Sequence, residues 1–427
     1  MSLSSIKNNR SVTLALLLSV AVMAGIDRNA MAVLVEPIKA DFMLSDAEMG
    51  FLLGPAFVVL YALFGIPFGM WADRGNRRNI ITIAISVWSV LTMACGAAIG
   101  FFTLALARMG VAVGEAGAHP PGYSMIADLY KEHERGTAMG VFNLSANFGV
   151  MIGFILAGYL SDALGWQATF YVLGAPGLLI GLMFYVCVRE PDRIAVKQTD
   201  PDAPPLRKTA ETMLSKKSVQ HLVIGALLAA CVSTGYANWM PATLERMFPD
   251  MARGTINLGL GLVIGVSGGA GTFLGGYISD KLGQRDVRWR LRSACIAILV
   301  GWPIGVTALF QDSYFIMLLL IVPPAFVALF HLASVFALLQ ELVEPRMRAT
   351  ATAILMLFTN LLGGGLGPQY VGLASDFLVG WFGDMSLTVA LASLGLFALW
   401  AAFHFFMASR YLVQDLAQYK DSQAAPA

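Results

Sequence analysis

Four ionisable residues sit where an apolar chain seldom keeps them. Asp27 and Arg28 are neighbours within AVMAGIDRNAMAVLV, and Arg108 and Glu115 lie in RMGVAVGEAG. Seven residues make two helical turns, so Arg108 and Glu115 share one face, about 10 Å apart along the axis. Two acids and two bases sum to zero, and buried charges persist when paired. Such a set offers two kinds of chemistry. It can clamp two helices together. Alternatively an acid titrates: protonating Glu115 or Asp27 would free its arginine to bind an anion or to let helices move, which couples a proton to that event. His119, one turn beyond Glu115, extends the same stripe.

The elements that carry these residues are long apolar runs. Of 427 residues, 57% are apolar and 13% charged, against about 25% charged in soluble domains. A membrane-spanning helix needs roughly 20 residues. Twelve runs qualify, at 12–34, 48–71, 79–100, 103–129, 137–161, 167–188, 219–242, 256–279, 291–310, 314–340, 348–375 and 386–409; they are called spans 1 to 12. The expected fold class is an all-α membrane protein of twelve transmembrane helices. The first run is too long for a signal peptide and lacks a small-residue cleavage site, so it reads as a retained span. Counted inward at about 1.5 Å per residue, Asp27 in span 1 and Glu115 in span 4 fall in the middle of the membrane. Ionisable groups at that depth cost several kcal/mol and are functional by default. The small residues around Glu115 permit close helix approach.

Charge sets the expected orientation. Of the 28 Lys and Arg, all but five lie in the termini, the central segment and the loops after spans 2, 4, 8 and 10; the exceptions are Lys39, Arg246 and Arg253 in the opposite loops and Arg28 and Arg108 within spans. The positive-inside rule then places both termini and the central segment in the cytoplasm, as in a multi-pass protein of a bacterial inner membrane. The net charge of +1 points to no nucleic-acid partner. Cys95, Cys187, Cys231 and Cys295 show no paired spacing and read as packing residues, and no metal or other cofactor is expected. No H-E-x-x-H, G-x-S-x-G or Walker loop occurs, so the chain is not expected to be an enzyme.

The sequence repeats itself. GMWAD, GYLSD, GYISD and GLASD end at Asp73, Asp162, Asp280 and Asp376, near the ends of spans 2, 5, 8 and 11. RGTA begins at Arg135 and RATA at Arg348; spans 4 and 10 each hold a Pro pair, Pro120-Pro121 and Pro323-Pro324. A three-helix unit occurring four times makes two pseudo-symmetric six-helix halves. The expected organisation is an N-terminal half at 1–188, a Pro-containing cytoplasmic linker at 189–218, a C-terminal half at 219–412 and a cytoplasmic tail at 413–427.

These features resemble the major facilitator superfamily. GMWADRGNRR matches that family's G-x-x-x-D-R-x-G-R-R pattern at Gly69, Asp73, Arg74, Arg77 and Arg78, with Asn76 where many members have Gly. GYISDKLGQR repeats it at Gly276, Asp280, Lys281, Gly283 and Arg285. The resemblance implies two halves rocking about a central site. In that setting Gly69 would admit a close helix, and Asp73 with Arg74, Arg77 and Arg78, echoed by Asp280 and Arg285, would form a charged cytoplasmic gate. DRNAMAVLVEPIKADFMLSDAEMGFL, RMGVAVGEAG with IADLY, and VREPDR further resemble bacterial relatives of the spinster group, which includes transporters associated with sphingosine-1-phosphate and lysophospholipids. Hexuronate carriers share the Asp-Arg of span 1 and the acid of span 4. Span 5 keeps Gly140, Gly149, Gly153 and Gly158 of the antiporter signature but has Phe154 and Ala157 at its Pro and Gly, so antiport is not implied.

Spans 7 to 12 hold no mid-membrane Lys, Arg, Asp or Glu. Their polar candidates are milder: Ser233, Thr234, Tyr236, Asn238 and Trp239 in span 7, His331 and Ser334 in span 10, and Asn360 in span 11. A cavity charged on one wall and largely apolar on the other suits an amphiphilic anion or zwitterion, such as a lysolipid or sphingoid phosphate. The expectation is a monomeric, proton-coupled secondary transporter in contact with protons, membrane lipid and such a substrate. A hexuronate-like carrier and a non-transporting membrane sensor are the alternatives.

Overall fold

A computed structural model describes residues 9–191 and 205–424. The core of the expected linker, 192–204, and Lys7 lie outside these residues. Everything regular among the described residues is helix. Eleven segments are long and apolar enough to cross a membrane, and the eleventh, Thr350–Tyr419, is 70 residues long. It breaks at Gly383–Met385, where Gly383 takes φ +54°. On either side Tyr370 pairs with Ser393 (2.9 Å) and Ser375 with Ser386 (3.3 Å). That pairing runs antiparallel, so the segment is two spans and the total among the described residues is twelve.

Local chemistry sets the breaks within spans. Span 4 is two helices, Phe101–Ala116 and His119–Leu129. Proline clashes with the carbonyl four residues back and lacks an N–H; Pro120 and Pro121 therefore disrupt the turn at Ala116–Gly117, directly after Glu115. Span 2 likewise restarts at Pro55 after Gly54. Asn76, in place of the family's glycine, caps the helix Arg77–Gly96 by accepting from Asn79 N (2.9 Å). The linker contains one helix, Leu206–Ser215, packed on Arg348–Phe358. The last helix, Ser386–Ala424, continues well past span 12. Its Asp415 caps the start of span 7, accepting from Ser218 N at 2.8 Å.

The chain forms two compact units. The first holds residues 1–196 with 238–265, the second 197–237 with 266–427. In the first, spans 1 and 5 cross at Gly25 and Gly149: a Cβ on Gly25 would lie 2.7 Å from Gly149 Cα, and one on Gly149 2.6 Å from Gly25 Cα. Only hydrogen fits between these backbones. The second unit does the same where span 8 meets span 10. A Cβ at Gly275 would lie 2.4 Å from the Phe330 carbonyl, and one at Gly271 would overlap that of Phe326.

Candidate functional site

The Gly25 crossing and the Ala116 break bring the sequence-selected charges of the first unit together. Arg28 donates from Nε to Glu115 Oε2 at 2.7 Å. Arg108 donates from Nη1 to the Asp27 carbonyl at 3.4 Å, and Thr92 donates to Asp27 Oδ2 at 3.3 Å. Asp27, Arg108 and Glu115 are all buried. A set of four mutually paired charges is not what forms. One ion pair, Arg28–Glu115, joins them, and neither Asp27 nor Arg108 belongs to an ion pair. Glu115 Oε1, Arg108 Nε and His119 Nδ1 are buried without hydrogen-bond partners. An unsatisfied buried polar atom costs about 1–3 kcal/mol.

Aromatic rings also face both guanidiniums. Arg28 lies over Phe57 (5.0 Å) and Tyr61 (4.5 Å), and Arg108 lies over Phe57 at 5.1 Å. Phe57 thus serves both guanidiniums, with Tyr61 stacked on it at 5.8 Å. Sequence reasoning missed both rings, although their i, i+4 spacing in span 2 puts them on one face. Arg28 differs from the rest of the cluster in access: its side chain is 36% exposed, while that of Glu115 is 0%. His119 packs against Phe142 at 5.9 Å.

The candidates of the C-terminal half form no comparable cluster. Tyr236 is buried edge-on against Trp302 at 5.3 Å, and its hydroxyl has no partner. His331 is buried against Phe405 and shares a small cavity with Ser233 and Trp302. Asn238 is half-buried and Trp239 fully buried, and both belong to the first unit.

At the basic rim the expected gate residues are differently employed. Arg77 is buried and donates from Nε to Glu190 (2.7 Å), from Nη1 to Ser124 (2.9 Å) and Asp128, and from Nη2 to the Pro191 carbonyl (3.2 Å). Its guanidinium is committed to the ends of spans 4 and 6, not to the neighbouring Asp73. Arg78 lies over the Tyr185 ring at 4.7 Å. Asp73, Arg74, Asp280 and Arg285 are exposed. A Cβ on Gly69 would meet nothing within 4 Å among the described residues; one on its repeat partner Gly276 would lie 3.2 Å from Ala333 Cβ. In the second unit Arg290 is paired with Glu341 at 2.6 Å. On the opposite rim all three bases are paired. Lys39 meets Asp46, Arg246 holds Asp46 (2.6 Å) and Glu36 (2.8 Å), and Arg253 holds Glu245 (2.9 Å).

Comparison with known proteins places this geometry in a family. A family model for the Major Facilitator Superfamily matches residues 16–368. An "MFS-type efflux pump" of Mycolicibacterium smegmatis is 32% identical over 370 residues, covering 86% of this chain and 84% of that one. "Protein spinster homolog 1" of Homo sapiens is 27% identical over 373 residues, covering 82% and 70%. A "Probable L-galactonate transporter" of Escherichia coli is 24% identical over 310 residues, covering 69% and 67%. Among solved structures, a bacterial homolog of the human lysosomal transporter Spinster, in an inward-facing and unoccupied conformation, superimposes with a TM-score of 0.85 at 29% identity, over 95% of this chain and 98% of that one.

Proposed function

Since this chain belongs to the major facilitator superfamily and is a transporter of its spinster group, we propose that it is a proton-coupled secondary transporter of an amphiphilic anion, working by alternating access. Arg28 is the base that meets the anionic head. Asp27 is the carboxyl that takes up and releases the coupled proton, while Glu115 holds Arg28 in place. The observation that carries this reading is the uneven satisfaction of the cluster. Arg28 spends Nε on Glu115 yet keeps a third of its side chain exposed. Asp27 is buried with no base in ion-pair range. A partly exposed base beside a buried acid outside any ion pair suits exchange of a proton and an anion.

The amphiphilic class follows from charge economy. The spans after the linker offer no mid-membrane charge. A substrate with one charged end and an apolar remainder leaves fewer polar groups unpaired than a small acid polar at every carbon. The likeness to a probable L-galactonate transporter supports the second reading, a sugar acid held by the same arginine. The loop charges support cytoplasmic termini, and the superfamily supports a monomer.

The test is flux and binding in proteoliposomes. Wild-type uptake of a lysophospholipid or sphingoid phosphate should respond to an imposed pH gradient. Asp27→Asn should abolish that response, and Glu115→Gln should flatten it. Flux that ignores the gradient makes the protein a facilitator. Tight binding of a hexonate with none of any amphiphile promotes the second reading.

A further inference from the structure

A second polar group lies on the same wall as Arg28 and is not used by the coupling chemistry. Tyr123, in the second helix of span 4, donates its hydroxyl to Asn143 Oδ1 in span 5. Tyr123 packs edge-on against Phe142 at 5.0 Å, and Phe142 in turn meets His119 at 5.9 Å. His119 stands one turn from Glu115, the partner of Arg28. The rings therefore form a continuous path from the anion-binding base to the Tyr123–Asn143 pair, leading toward the basic rim.

Depth and exposure give the pair its meaning. Tyr123 is 37% exposed and Asn143 is exposed. Asn143 lies six residues into span 5, about 9 Å from its end. An amide accessible at that depth marks a face that meets water or a polar ligand, because acyl chains satisfy no hydrogen bond. The pair is also chemically specific. Tyr123 spends its only proton on Asn143, so its oxygen presents lone pairs. Asn143 spends its oxygen, so its Nδ2 presents two donors. No carboxylate contacts either residue among the described residues. A donor and an acceptor side by side match a hydroxyl, which both accepts and donates.

We infer that Tyr123 and Asn143 form a specificity subsite that binds a hydroxyl-bearing segment of the substrate while Arg28 holds its anionic group. This rests on the reading that Arg28 binds an anion. The substrate is then a hydroxylated anion, such as a phosphate ester with a free glycerol or sphingoid hydroxyl, and not a plain alkyl phosphate or alkanoate.

Two matched ligand pairs test it, by titration into protein held in lipid nanodiscs: 1-lauroyl-glycerol 3-phosphate against dodecyl phosphate, and gluconate against hexanoate. The wild type should prefer the hydroxylated member of at least one pair by about tenfold, the worth of roughly one good hydrogen bond. Asn143→Leu should reduce that preference to less than twofold while keeping dodecyl phosphate or hexanoate affinity within twofold, which also shows the variant to be folded. Tyr123→Phe should give an intermediate preference. Arg28→Ala should weaken both members of a pair together. Equal wild-type affinity within both pairs, or a preference that survives Asn143→Leu, overturns the subsite while leaving the role of Arg28 standing. Unchanged affinity in Arg28→Ala, or no binding of any of the four, overturns both.

Discussion

The two halves of the chain share their rim and differ in their middle. Arg77 meets Asp128 and Arg290 meets Glu341, each 51 residues along. Arg135 donates to the Ala127 carbonyl and Arg348 to that of Gln340, each reaching back eight residues to cap the preceding helix. These duplicated contacts serve what both halves need, which is to tie helix ends together at one surface. The mid-membrane charges are not duplicated among the described residues. The first unit carries Asp27, Arg28, Arg108 and Glu115; the second has Tyr236, His331 and a small cavity. A frame common to both halves is structural, and the cluster present in one is where this chain departs from its own repeat.

The comparison breaks most sharply at Arg77. It is buried, and Arg77→Ala strands Asp128 and Glu190, so a loss of about 3 kcal/mol is expected, read as a lowered unfolding midpoint in detergent. A midpoint equal to wild type would end the structural assignment of this residue. Helix starts offer a smaller contrast. Span 1 is capped by its own Asn9, span 7 by the distant Asp415. Asp415→Ala should cost about 1 kcal/mol, and truncation after 412 should cost no less; a truncated chain of full stability would show that the cap is dispensable. Arg290→Ala should be milder than Arg77→Ala, because Glu341 is 44% exposed and exposed pairs contribute about 0–1 kcal/mol. Equal losses at both would contradict the difference in burial. The smallest effect on stability is expected at Glu115→Gln, which keeps an acceptor for Arg28 and should shift the midpoint by under about 1 kcal/mol. That variant should still flatten the transport response to a pH gradient, because Arg28 is then no longer held by a charge. A large stability loss there would return the cluster to a clamp.

The spans, the fourfold repeat and the members of the charged cluster were all legible in the sequence, because each is written in hydropathy, spacing or charge at fixed depth. The partners were not. Asp73 stands four residues from Arg77 and looks like its acid, yet Arg77 points toward Asp128 and Glu190, which no local pattern links to it. Gly69 looks like a contact glycine, yet a Cβ there would meet nothing within 4 Å among the described residues, whereas Gly25 and Gly149 bring two backbones into contact. Phe57 and Tyr61 read as one more apolar face among many. Only the fold shows that this face covers two guanidiniums.

The crossing of Gly25 over Gly149 has a mechanical side. A body that tilts about a point of contact moves least near that point. Arg28 lies three residues from the crossing, about 4.5 Å along the axis, while Arg10 lies fifteen away, about 22 Å. For any rocking of span 1 on span 5, the distant end would travel roughly five times as far as Arg28. Arg10 is tied there to Glu134 at 2.6 Å, so the long arm of this lever would pull on the root of span 5. Any such rocking would leave Arg28, the base proposed to hold the anion, nearly still while the rim swings.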